Sequence, residues 1–245
     1  MYAGTGLYKG KQPAAPSISV LRRDDGQIAA RVVLAARCKG YASYSFVVKA
    51  AGSTPDGVNF TAAGSSKLGP GRTVRVTLTG SLAPDAATGS ARVRLTKGCK
   101  GYTQPFALRT ESAPAGAPAV PAAGTVMLGL TAQSVGGLRL PVSLRATGNG
   151  RVYAVWQGLM TCGRAKVPIL DFVPSRKVGA DGSFGGRQRF TVRYRDHSER
   201  YVVDFHGQFR ADGATGTLRA RMQWREGKRR FVPCDTGAQT WTARP

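Results

Sequence analysis

At 245 residues the chain has room for one large domain or for two of about 110 to 120 residues. Its apolar content of 42% suffices for a packed core, while 32 Gly and 14 Pro point to many short strands and tight turns and argue against a long helical architecture. Lys and Arg number 36, of which 26 are Arg, against 13 Asp and Glu; the resulting +23 favours anionic partners, although a GC-rich codon bias would load a soluble β surface in the same way.

The chain opens on Met1-Tyr-Ala-Gly-Thr-Gly6, which lacks the charged and apolar regions of a signal peptide, so an exported protein is expected to have lost its signal already. No run reaches the roughly 18 to 20 apolar residues a membrane helix needs. The nearest, from Ala117 to Leu130, is broken by Pro118 and Pro121. Turn signals begin at Asp25-Gly26 and return at Asn149-Gly150, Asp181-Gly182, Asp212-Gly213 and Glu226-Gly227.

Between these turns the apolar pattern has a period of two. In Arg72–Thr79 the residues Val74, Val76 and Leu78 share one face and Arg75, Thr77 and Thr79 the other, the signature of a half-buried strand. Gln188–Arg195 and Leu218–Arg225 read the same way. About eight strands per half follow, enough for an up-and-down barrel or a sandwich, with the barrel favoured because short hairpin turns join consecutive strands and closure removes exposed edges.

The two halves repeat each other. Gly80–Arg94 and Gly207–Arg221, 127 positions apart, share seven of fifteen residues without a gap. Cys38 follows Gly26 by twelve residues, as Cys162 follows Gly150. Cys99 and Cys234 are each followed at matching distances by Gln (Gln104, Gln239), an aromatic residue (Phe106, Trp241) and Arg (Arg109, Arg244). Repeat 1 then spans 2–110 and repeat 2 spans 124–245. Between them 111–123 is rich in Pro and Ala and reads as a semi-stiff extended spacer or a plain connector.

Of the three possible pairings, only Cys38 with Cys99 and Cys162 with Cys234 closes a bridge inside each repeat. Zinc ligation by all four is disfavoured because their spacings are far wider than those of zinc sites. One disulfide per repeat places the protein in an oxidising, extracytoplasmic setting, secreted or on the cell surface.

Gly207-x-Phe209, Ala214-x-Gly216-x-Leu218 and the ending Cys234-Asp-Thr-Gly237-x-x-x-Trp241-x-Ala243-Arg244 resemble the uncharacterised secreted β-domains of high-GC Gram-positive bacteria. Repeat 1 departs from that pattern at Lys100-Gly101 and Phe106. The resemblance implies secretion and a β fold and carries no activity.

No nucleophile elbow, zinc-binding helix, phosphate loop or cofactor motif is present. The histidines are His197 and His206. Asp204 and His206 lie two apart on a predicted strand and so share a face, as a general base and its orienting carboxylate would; the matching positions of repeat 1, Thr77 and Thr79, argue against a hydrolase built on them. The sharper feature is arginine. Arg187, Arg189, Arg193 and Arg195 occupy one face of a strand, and Arg219, Arg221 and Arg225 load another expected to lie beside it, giving a guanidinium surface suited to carboxylates, sulfates or phosphates. An ordinary solvated strand face is the competing reading. Tyr194, Trp224 and Trp241 fall on apolar faces as core residues, which leaves sequence-reading nucleic-acid recognition without stacking platforms. The pattern therefore predicts a secreted, non-catalytic binding or structural module of the cell envelope that engages an anionic polysaccharide or other polyanion. A self-assembling surface or filament subunit is the alternative.

Overall fold

The computed structural model describes residues 2–5, 17–36, 44–67, 73–96, 101–110, 113–135, 137–193, 197–227 and 229–245. Among the described residues all regular structure is β, and the chain divides into two compact units. No helix is long and apolar enough to cross a membrane, a statement confined to the described residues.

In the first unit eight antiparallel strands close into a barrel in chain order: β1 (Tyr2–Thr5), β2 (Ser17–Arg22), β3 (Gln27–Ala36), β4 (Tyr44–Ser53), β5 (Asn59–Lys67), β6 (Thr73–Leu82), β7 (Ala86–Leu95) and β8 (Tyr102–Thr110). The alternation expected for β6 holds, with Val74, Val76 and Leu78 buried inside and Arg75 exposed. Ile18, Val32, Leu34, Val48 and Leu108 join them in a single core. The turn into β3 forms because the Asp25 carboxylate accepts the Gln27 N–H at 2.9 Å while Gly26 takes φ of 76°, which a side chain rarely tolerates.

A second, barrel-like sheet runs in the order β12 (Ala165–Lys177), β11 (Arg151–Cys162), β10 (Leu138–Thr147), β9 (Val126–Val135), β17 (Gln239–Arg244), β15 (Gly213–Glu226), β14 (His197–Arg210), β13 (Ser183–Arg193). A short strand, β16 (Val232–Asp235), pairs with both β11 and β15. It takes over where longer neighbours stop. β11 pairs β10 as far as Trp156 and meets β16 at Thr161 and Cys162, while β15 pairs β17 over Ala214–Leu218 and β16 over Arg221–Trp224. The Cys162–Cys234 disulfide pins β16 at this point, its Cα atoms 4.2 Å apart on directly opposed residues. Cys38 and Cys99, expected to form the other bridge, lie outside the described residues.

One construction recurs in both units. Gly80 faces Gly89 across β6 and β7, and Gly207 faces Gly216 across β14 and β15. Aromatic rings, together with facing backbone carbonyls at Gly80, Gly89 and Gly216, occupy the space that side chains would need: Phe60 and Phe106 over the first pair, Phe184 and Trp241 over the second. The ring pairs stand 6.3 and 6.2 Å apart. Here the glycines serve close approach rather than an unusual turn.

Residues 113–124 are more than a spacer between strands. The Asp212 carboxylate accepts the N–H groups of Ala115 at 3.0 Å and Gly116 at 2.8 Å, Arg210 donates to the Gly116 carbonyl, and Ala119 and Phe209 share a backbone hydrogen bond. Pro114 is buried. The segment is laid along the β14–β15 hairpin, which satisfies backbone groups that an extended Pro/Ala tract would leave to water.

Candidate functional site

The arginine face is built from β13, β14 and β15. Residues in register alternate sides, so Arg187, Arg189 and Arg193 of β13, Ser198, Arg200, Val202 and Asp204 of β14, and Arg219, Arg221 and Arg225 of β15 share the outer side. The inner side carries Val203, Phe205, Leu218, Ala220 and Met222, all buried. The two arginine-rich strands are not neighbours, as had been expected: β14 lies between them and contributes Arg200. Alternation reports the face of a residue, and only the hairpin connections decide which strand pairs with which. Arg195 and Tyr194 lie outside the described residues.

Charge on this face is unevenly compensated. Asp204 is held by Arg187 Nε at 2.6 Å and Arg221 Nη2 at 3.0 Å, and Asp235 by Arg219 Nη2 at 2.6 Å. Hydrogen bonds from Arg187 hold the Asp204 carboxyl below its usual range, and those from Arg219 do the same for Asp235. The reciprocal effect raises Arg187 and Arg219. Among the described residues Arg189, Arg193, Arg200 and Arg225 pair with no carboxylate. Arg200 and Arg225 instead rest against the Phe231 ring, 4.6 and 4.8 Å from its centroid. Phe231 sits just before β16 and left no periodic signal. Arg200 had one, since it stands two and four positions from Val202 and Asp204.

The depressed carboxyls set a pH response. A carboxyl lowered in the folded state stabilises it fully above the unfolded value, about 3.9, and that contribution is lost as pH falls through the folded value. Asp204, Asp235 and Asp212, the last lowered by the Ala115 and Gly116 N–H groups, act in the same sense. Unfolding midpoints in urea are expected to be level from pH 7 to about 5 and to fall below about pH 4. A midpoint that rises on acidification contradicts this.

Asp204 is thus the counter-ion of two arginines. His206 is exposed on the same face, and the carboxylate meant to orient it is engaged by Arg187 and Arg221. On the inner side Phe190 stacks on Tyr201 at 4.7 Å, the Tyr201 hydroxyl donates to Glu199 at 2.7 Å, and His197 lies 3.4 Å from the same carboxylate. Neither this cluster nor its Phe190–Tyr201 stack was anticipated. Trp241 is buried in the core, whereas Trp224 is partly buried against it. Among the described residues no group of three or more His, Cys, Asp or Glu is placed to hold a metal ion.

No protein-family model matches the chain, and no curated protein does. Two solved structures align with its whole length. One, a candidate outer membrane protein of Bacteroides fragilis, has 13% identity and a TM-score of 0.25 with 95% of its own chain covered. The other, a Nostoc punctiforme protein of unknown function from the DUF3598 family, has 10% identity and a TM-score of 0.19, also over 95% of its chain. Likeness at that level carries no argument about this protein.

Proposed function

We propose that the protein is a secreted, non-catalytic binding module of the cell envelope that engages an anionic polymer through the outer face of β13–β15. The observation that carries this reading is the surplus of guanidinium there: among the described residues, seven arginines on three neighbouring strands against Asp204 and Asp235. Such a field attracts polyanions at long range, and each phosphate or sulfate it binds displaces counter-ions. The Cys162–Cys234 bridge favours an oxidising compartment.

The test is retention on immobilised dextran sulfate as a function of salt. Affinity is expected to fall steeply between 50 and 200 mM salt, by about tenfold or more, as counter-ion release demands. Arg189→Glu with Arg193→Glu is expected to weaken binding and to flatten the salt slope by about one unit per lost contact. Binding that is flat over this range, or untouched by the double change, overturns the reading.

A further inference from the structure

We infer that the group this face selects is a tetrahedral oxyanion ester, a sulfate or a phosphate monoester, seated among Arg193, Arg200 and Arg225 beside Phe231. The inference rests on the polyanion reading and narrows it.

The face has two ends of different character. Around Asp204 and Asp235 the arginines Arg187, Arg219 and Arg221 already have partners, and a ligand there would compete with an internal carboxylate. At the other end Arg193, Arg200 and Arg225 have no carboxylate partner among the described residues. Arg193, Ser198 and Arg225 form one cross-strand row, and Arg200 lies on the central strand two residues along on the same face, so three arginine positions flank Ser198. Strands are spaced about 4.8 Å apart and same-face residues about 6.7 Å. Side chains as long as arginine converge readily over such distances.

Phe231 makes this end more than a crowd of charges. Two guanidinium groups lie against its one ring, at 4.6 and 4.8 Å. The ring attracts both, and it holds two rotamer-rich side chains in place before a ligand arrives, which lowers the entropy lost on binding. The two cations also repel each other, and a negatively charged guest relieves that repulsion.

Geometry then selects the guest. A carboxylate is planar and is satisfied by one guanidinium fork. A sulfate or phosphate monoester directs three terminal oxygens along different axes and so takes donors from three sides at once. Two guanidinium groups held at one ring, with Arg193 on the same face across the row, offer donors from several directions and fit the second pattern.

Dextran supplies the test, since one backbone can carry sulfate, phosphate monoester or carboxymethyl groups at matched density. At pH 5.5 and fixed salt the full chain is expected to bind dextran sulfate and phosphorylated dextran at least about tenfold more tightly than carboxymethyl dextran. A preference for only one of the two esters also supports the inference and names the source. Arg200→Lys with Arg225→Lys keeps the charge but removes the planar forks, and is expected to erase the preference while salt-dependent binding persists. Arg187→Lys with Arg219→Lys is expected to leave the preference intact. Equal binding of carboxymethyl dextran, a preference that survives the Arg200 and Arg225 changes, or one abolished by the Arg187 and Arg219 changes overturns the inference with the polyanion reading still standing. Absence of salt-dependent binding to all three polymers overturns both.

Discussion

Trp241→Ala is expected to cost the second unit about 3 to 5 kcal/mol, the range for emptying a large aromatic site in a packed core. Trp241 is 1% exposed, stacks on Phe205 at 5.1 Å and fills the space over Gly207 and Gly216. Those glycines have no side chains to collapse into the hole, so relaxation recovers little of the loss. Trp241→Phe is expected to be milder, because Phe106, at the matching position of the first barrel, covers Gly89 there. Urea denaturation followed by tryptophan fluorescence is the appropriate measurement. Trp156, Trp224 and Trp241 all belong to the second unit, so the signal reports that unit separately. A cost below about 1 kcal/mol would mean the ring does not seat the glycines as described.

Removing the Cys162–Cys234 bridge, by Cys162→Ser with Cys234→Ala, is expected to be comparably severe. The bridge spans 72 residues, and the chain-entropy relation gives about 4 kcal/mol for a loop of that length. Alanine is chosen at 234 because that position is 4% exposed and a serine hydroxyl there would add a desolvation cost of its own. The same fluorescence titration applies, with reductant added to the parent protein as a parallel arm. A midpoint that moves by less than the equivalent of about 1 kcal/mol in both arms would show that β16 is held by its ladder alone.

Much of this architecture was legible in the residues. The alternation of Val74, Val76 and Leu78 with Arg75 marks a strand and its buried side, and short turns such as Asp25-Gly26 favour a barrel of consecutive hairpins. The Cys162–Cys234 pair follows from the internal repeat, as the pairing that closes a bridge within each half. What stayed hidden depends on neighbours rather than on period. Nothing in a single strand says that β14 separates the arginines of β13 from those of β15, or that β16 would bridge β11 and β15.

The candidate site divides along the same line. Six of its seven described arginines could be read from the two loaded strands, and the seventh, Arg200, was available to anyone extending the alternation back from Asp204. Phe231 was not, because its role comes from where the chain re-enters the sheet. The counter-ion roles of Asp204 and Asp235 were equally beyond a one-dimensional pattern, since their partners lie 16 or 17 positions away across a ladder.

The seating of aromatic rings over paired glycines ties distant positions to one another. In either sheet a larger residue in place of one glycine would collide with the ring and, at Gly80, Gly89 and Gly216, with a neighbouring backbone carbonyl, and a smaller residue in place of the ring would leave two bare backbones facing a void. Divergence between the halves is therefore channelled into exchanges of one flat ring for another, as between Phe106 and Trp241, while the glycines beneath stay as they are.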